Sequence, residues 1–451
     1  MGADSDEAGR MVLGVRGYIF TLITAMMAMV ILSLILFQTE ISAPIFEDAS
    51  NKMSVEESHY FVESLKKDAQ RAQAISGQRA ATYAIDHIIS TNESMDGYGM
   101  RNCTEFNYST AGVEAALSEL AFCGTLANAK VETDQDELEK YMENNTIRDW
   151  MGKVQENRTP GVAYNVSVRL RNMSLAAYDS WHYAIVGEYD LVVDAGGGNR
   201  FAGYGIPVVS VVDITTMEDP LHHMKYGIPA SMRLFRRCET LPRLNGKVLD
   251  RWVEEGCYNM EWNRENAPSF FDRLEGRDSL DPDLIEESAS LLGGLGYTPG
   301  ELGLESMLDL QLLEKYNLTV NGNLSQVDHS YWGNVESRCA VDGMMKHPDF
   351  RMDVEHAVKY RVVGLDCTVY VDVVGSTCKF NPEKIKVPLN TTISWVELGS
   401  GRKDLYIVEL DTPLPVEANG KVQWLFNETG TYTIACLDAS DASTVEVTDR
   451  F

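Results

Sequence analysis

A largely apolar, uncharged run extends from Gly17 to Phe37, in GYIFTLITAMMAMVILSLILF, and beyond it the hydrophobic rhythm changes twice. The run carries no charge, and at about 1.5 Å per residue it is long enough to cross a hydrocarbon core of about 30 Å. It predicts a transmembrane helix over 17–39 behind a short polar tail over 1–16. Arg10 and Arg16 precede it, and Glu40, Glu47 and Asp48 follow. The basic flank places the N-terminus in the cytoplasm and the bulk of the chain outside the cell, as a single-pass membrane protein. A secretory signal peptide has a shorter apolar stretch and a small-residue cleavage site, which FQTEISAPIF does not offer. Membrane lipid around the 17–39 helix is the first expected partner.

After the span the apolar period is helical. Phe61, Leu65, Ala69, Ala72 and Ile75 fall on one helix face, and small residues follow, which predicts a helical stalk over 40–90. TAGVEAALSELAF and DQDELEKYMENNTIRDWMGKV read as two further helices. From Gly161 the period becomes two. VAYNVSVRLRNM, WHYAIVGEYDLVVDA and RFAGYGIPVVSVVDI alternate apolar and polar residues and predict an antiparallel sheet. Gly196–Gly198 and GGLGYTPG at 293–300 read as turns, since no Lys-Ser/Thr pair or helix follows to make a phosphate loop. The fold class expected is α+β: an extracytoplasmic domain over 91–365, then a β-rich unit over 366–451.

Composition narrows the function. Hydrophobic residues are 44% and charged residues 24% of the 451, an ordered composition, and the formal charge of −28 disfavours nucleic acid as a partner. The cysteines, Cys103, Cys123, Cys238, Cys257, Cys339, Cys367, Cys378 and Cys436, lie singly beyond the span and are even in number. That pattern reads as disulfides, with sequence neighbours paired, rather than as a zinc or redox motif. Sequons stand at Asn92, Asn102, Asn107, Asn144, Asn157, Asn165, Asn172, Asn317, Asn323, Asn390 and Asn427, candidate glycosylation sites on an exported chain.

Three phrases between 216 and 340 carry a resemblance. Asp219-Pro220-Leu221, Ser269 to Gly276 (SFFDRLEG) and Val327-Asp328-His329 resemble, in that order, phrases of uncharacterised archaeal membrane-anchored proteins with pilin-like N-termini. The resemblance covers residues 10–340 and implies no activity. It implies a leader cut after Gly17, and other surface or pilus-like subunits as partners. Such leaders carry an acidic residue five positions past the cut, where this chain has Leu22. A permanent anchor is the other reading.

The last unit resembles the cupredoxins. CKFNPEKIKVPLNTTISWVELG, then GKVQWLFNETGTYTIACLDAS, follow that family's order: a Phe-x-Pro strand, a tryptophan strand, and Gly-Thr-Tyr leading to a cysteine. The resemblance implies a β-sandwich with Cys436 at the position of a copper thiolate. A type 1 copper site needs two imidazoles beside the thiolate. Arg402-Lys403-Asp404-Leu405 stands where the first histidine belongs and Leu437-Asp438-Ala439-Ser440-Asp441 where the second belongs; no histidine follows His356. The family fold implies instead a bridge from Cys436 to Cys378, with Cys367–Cys378 as the alternative.

Other chemistry is sparse. His222-His223-Met224 is dense in metal ligands, but adjacent side chains rarely converge. Met344, Met345, His347, Met352 and His356 can suit copper(I), or are a scatter of core methionines. Asp328-His329 is half of a catalytic triad without a nominated nucleophile, and DSLDPDLIEE lacks the spacing of a calcium loop. No catalytic, cofactor or metal residue is nominated. The expectation is a non-enzymatic cell-surface protein, adhesive or pilin-like, displaying a copper-free cupredoxin-like domain. The alternative is an extracytoplasmic redox or copper-handling protein.

Overall fold

The computed structural model describes residues 7–99, 111–126, 129–130, 142–156, 165–194, 200–227, 233–260, 267–374, 377–398, 403–416, 420–437 and 441–448. The chain divides into two compact units. One comprises residues up to 68 with 154–168 and 190–204; the other holds 69–153, 169–189 and everything from 205 on.

The chain opens with one helix, α1, Glu7–Thr91. Large apolar side chains from Leu22 to Phe37 stand exposed along it. Among the described residues, no helix is long and apolar enough to cross a membrane. This overturns the expected transmembrane helix over 17–39, and with it the single-pass topology and the sidedness drawn from the charge flanks. The apolar run is a short part of one helix of 85 residues. The helix then continues through polar sequence instead of ending at an interface.

Next come α2 (Val113–Cys123), the short strands β1 (Thr125–Leu126) and β2 (Ala129–Lys130), and α3 (Ile147–Glu156). The three alternating segments form long strands, β3 (Asn165–Asp179), β4 (His182–Asp194) and β5 (Arg200–Asp213), in one sheet of that order. The turn expected at 196–198 lies outside the described residues. In the second unit α1 meets β4 and β5 through its small residues. A Cβ on Gly77 would sit 2.5 Å from Ile185 Cδ1 and 2.9 Å from Val212 Cγ2, so only glycine fits. Polar groups at this contact are paired. Tyr183 donates to the Gly77 carbonyl at 2.7 Å, and Gln73 donates to Tyr189 at 3.0 Å and accepts from Ser210 at 2.6 Å.

From Asp219 onward short helices alternate with loops, and most open on a side-chain cap. The order is α4 (Pro220–Tyr226), α5 (Gly246–Glu255), β6 (Tyr258–Met260), α6 (Phe270–Leu274), α7 (Pro282–Gly293), β7 (Leu304–Ser306), α8 (Leu310–Lys315), α9 (Asp328–Trp332), β8 (Cys339–Val341) and α10 (Val354–Lys359). Asp219, Asp281, Asp309 and Asp353 cap α4, α7, α8 and α10, and Ser269 with Asp272 forms a capping box on α6. Part of the large negative charge therefore satisfies helix N-termini. β6 and β7 pair antiparallel.

The C-terminal strands are β9 (Leu365–Val374), β10 (Thr377–Asn381), β11 (Lys384–Pro388), β12 (Thr391–Glu397), β13 (Lys403–Ile407), β14 (Thr412–Val416), β15 (Lys421–Phe426), β16 (Gly430–Cys436) and β17 (Ala442–Thr448). They build two five-stranded sheets, β10-β9-β12-β15 with β8 beside β9, and β11-β17-β16-β13-β14. These sheets are mixed: β9 with β12 and β11 with β17 run parallel. Val369, Phe380, Trp395 and Phe426 of one sheet and Leu405, Ile434, Val445 and Val447 of the other join a single buried cluster. That cluster continues into Cys238, Trp252, Met307, Phe350 and Met352, so one core spans both sides of residue 366. Disulfides join Cys238–Cys257, Cys339–Cys367 and Cys378–Cys436. Cys123 is also disulfide-bonded, and Cys103 lies outside the described residues.

Candidate metal centre

The antiparallel pairing of β6 and β7 fixes a three-residue strand whose middle residue, Glu305, is fully buried. Alternation along a strand sends Glu305 and Ser306 to opposite sides. Glu305 Oε2 lies 3.1 Å from His329 Nε2, in the first turn of α9, and 3.1 Å from His356 Nε2, on α10. The two imidazoles are buried and meet edge to face, 5.2 Å between centroids. Ligand atoms of the three residues all lie within 4.8 Å of one another.

His356 is oriented from behind. Its Nδ1 lies 2.7 and 2.8 Å from the two carboxylate oxygens of Asp353, which also caps α10 and accepts from Ser325 Oγ at 2.6 Å. A carboxylate only accepts, so Asp353 fixes a proton on Nδ1. A neutral ring then points its Nε2 lone pair at Glu305 Oε2, acceptor against acceptor. Only an added proton or a metal ion relieves that contact. In a tetrahedral site with bonds of about 2.1 Å, neighbouring ligand atoms are about 3.4 Å apart, close to what is seen here. A carboxylate-backed histidine is also the usual support of a metal ligand.

The other oxygen of Glu305 accepts from Lys359 Nζ at 2.7 Å and from the Tyr360 hydroxyl. Burial pushes the Glu305 pKa up, but Lys359, His356 and the bonds from both histidines outweigh it and hold the carboxyl well below the usual range. Burial likewise raises Asp353, and the bond and charge of His356 overcome this and bring it to about 2.

Behind the centre lies a buried ionic network. Arg273 donates to Asp219 Oδ2 at 2.6 Å, to Asp328 Oδ2 at 3.0 Å and to the Leu304 carbonyl at 2.6 Å. Tyr258 donates to Asp219 at 2.6 Å and Ser306 to Asp328 at 3.0 Å. The three phrases Asp219-Pro220-Leu221, Ser269 to Gly276 and Val327-Asp328-His329, distant in sequence, meet here through Asp219, Arg273 and Asp328.

The remaining sequence candidates are dispersed. His222 is buried, with Nε2 3.4 Å from Ser306 Oγ, while His223 is only partly covered. His347 faces Asp250 and Asp309, Met345 is 88% exposed, and Met344 and Met352 are core residues, so only His356 of that segment reaches the centre. Asp328 and His329 point into different clusters, one to Arg273 and the other to Glu305. Cys436 is bonded to Cys378. Sequon asparagines among the described residues are exposed; Asn102, Asn107 and Asn157 lie outside them. Sequence reasoning missed Glu305, Asp353, Lys359 and Tyr360. The Asp353-Val-Glu-His356 spacing, a capping aspartate three residues before a histidine, was the one local signal.

The chain matches no known protein family and no curated protein, so nothing found bears on the pilin-like resemblance of residues 10–340. Solved structures similar to it are cupredoxins. A purple cupredoxin from Nitrosopumilus maritimus is 17% identical over 18% of this chain and 98% of its own, with a TM-score of 0.16. A copper(I) form of a mutant amicyanin is 18% identical over 18% of this chain and 82% of its own, also at 0.16. At these scores the likeness carries no argument, and the sandwich rests on its own strand pairing.

Proposed function

We propose that the protein is a non-enzymatic metal-binding protein in which Glu305, His329 and His356 hold one divalent transition ion, zinc foremost. The observation that carries this reading is the pair of imidazole nitrogens, each 3.1 Å from one buried carboxylate oxygen, with Asp353 fixing the proton of one ring on its far side. Two imidazoles and a carboxylate suit zinc and iron(II) better than calcium or magnesium, which take oxygen ligands. Two imidazoles and a carboxylate are three of the four ligands that a tetrahedral zinc takes, and all three are buried, which closes the centre to a bulky substrate. The ion in this reading serves the fold, and the work of the protein is binding through its surface loops.

A second reading has its own support. Lys359 already places a positive charge 2.7 Å from Glu305, and a protonated His356 completes a metal-free ionic network. Metal analysis of the full chain purified without a nickel column separates the two. The metal reading expects one zinc or iron per chain, a higher Tm with added zinc, and loss of both in Glu305→Gln. Substoichiometric metal in the wild type together with a zinc-insensitive Tm overturns it.

A further inference from the structure

The two segments that supply Glu305 and His329 each supply the neighbouring residue to the Arg273 network. On β7 Glu305 faces the imidazoles while Ser306 donates to Asp328. At the start of α9 His329 faces Glu305 while Asp328 accepts from Ser306 and Arg273. The Arg273 guanidinium also holds the carbonyl of Leu304, one residue before Glu305. One cation thus grips β7 and α9 at the residues next to two of the three proposed ligands.

Arg273 is anchored in turn by Asp219, which caps α4 and accepts from Tyr258. Arg273, Asp219, Asp328 and Ser306 are all fully buried. Burying such a set costs desolvation that apolar packing would avoid, and its best-attested return is a fixed register between elements. The register fixed here is that of β7 against α9, which sets the distance between Glu305 and His329.

Resting on the metal-binding reading, we infer that Ser306, Asp328 and Arg273 are positioning residues of the metal centre: they hold the Glu305 and His329 ligand atoms at coordination distance without touching the ion. Residues behind metal ligands typically change affinity by about 10- to 100-fold when altered.

The test is cobalt(II) titration of the full chain, read by visible absorption and by competition with a chelator. Ser306→Ala removes one hydroxyl and leaves the Arg273 ion pairs in place. It is expected to weaken cobalt binding by about 10-fold or more and to change the band shape, while the Tm of the metal-free chain stays near wild type. Asp328→Asn, which also removes a charge from the buried Arg273 pair, is expected to weaken cobalt binding more strongly and to lower the Tm of the metal-free chain as well. Ser288→Ala, which removes a buried hydroxyl bonded to the Ala177 amide, is the control and keeps the wild-type spectrum and affinity. Wild-type affinity and spectrum in both Ser306→Ala and Asp328→Asn overturn the inference alone. A wild-type chain that takes up no cobalt overturns the metal reading and the inference with it.

Discussion

His222 is an imidazole that the fold keeps neutral. Burial comes first and the charge of Arg233 second; together they outweigh the nearby aspartates and lower its pKa to about 4. An unfolded histidine titrates near about 6.5. Between those values the unfolded chain takes up a proton that the folded chain refuses, so this contribution is complete above pH 6.5 and is lost as pH falls toward 4. The loss is about 3 kcal/mol at most. Urea midpoints measured from pH 7.5 to 4 should fall less steeply in His222→Gln than in the wild type, and parallel slopes would refute this. Glu114 works in the opposite sense. Burial, then Glu287 and Glu275, raise its pKa to about 7, so its contribution is present at low pH and is lost as pH rises through 7. Glu114→Gln should therefore stabilise the chain at pH 8 by about 2 kcal/mol, after allowance for screening, and have little effect at pH 4.5.

Among the elements, the alternation that gave β3 to β5 was legible because it is local, and distant pairing was not. The aspartate caps that open α4, α7, α8 and α10 are equally local, needing only two or three adjacent residues, but they went unread. The parallel pairs β9 with β12 and β11 with β17 join segments that no rhythm connects. The site divides in the same way. Asp353 and His356 lie three residues apart, whereas Glu305 meets His329 from 24 residues away and His356 from 51. α2 shows the limit clearly. Its N-cap is Gly112, with no side chain to offer, and the Val113 amide is satisfied by Glu275 at 2.9 Å from far along the chain. Glu275→Ala should cost about 1 kcal/mol by urea unfolding, and an unchanged midpoint would show that the cap contributes nothing. The Cys378–Cys436 bridge between β10 and β16 spans 58 residues of sequence. Replacing both cysteines with alanine should cost about 4 kcal/mol in the chain-entropy account. A loss well under 1 kcal/mol would mean that the unfolded chain is already compact across that loop.

At the scale of the second unit, the sandwich and the helices before it behave as one body because their core is continuous. β8 and the Cys339–Cys367 bridge attach the first sheet to the preceding segment, and Met352 sits at the seam. Its side chain is fully buried in the shared cluster, its amide donates to the Cys339 carbonyl at 3.1 Å, and its carbonyl accepts from Ser337 at 2.6 Å. Because these backbone bonds survive side-chain truncation, Met352→Ala tests the packing alone. It should cost about 3 kcal/mol through the cavity it leaves. Residues that share one core lose it together. Hydrogen exchange of the α5 amides and of the β16 and β17 amides should therefore give one urea midpoint in the wild type. In Met352→Ala both midpoints should fall by the same amount. If the strands kept their protection while α5 opened early, the sandwich would be a separate folding unit, and the composition break near residue 366 would mark a true boundary.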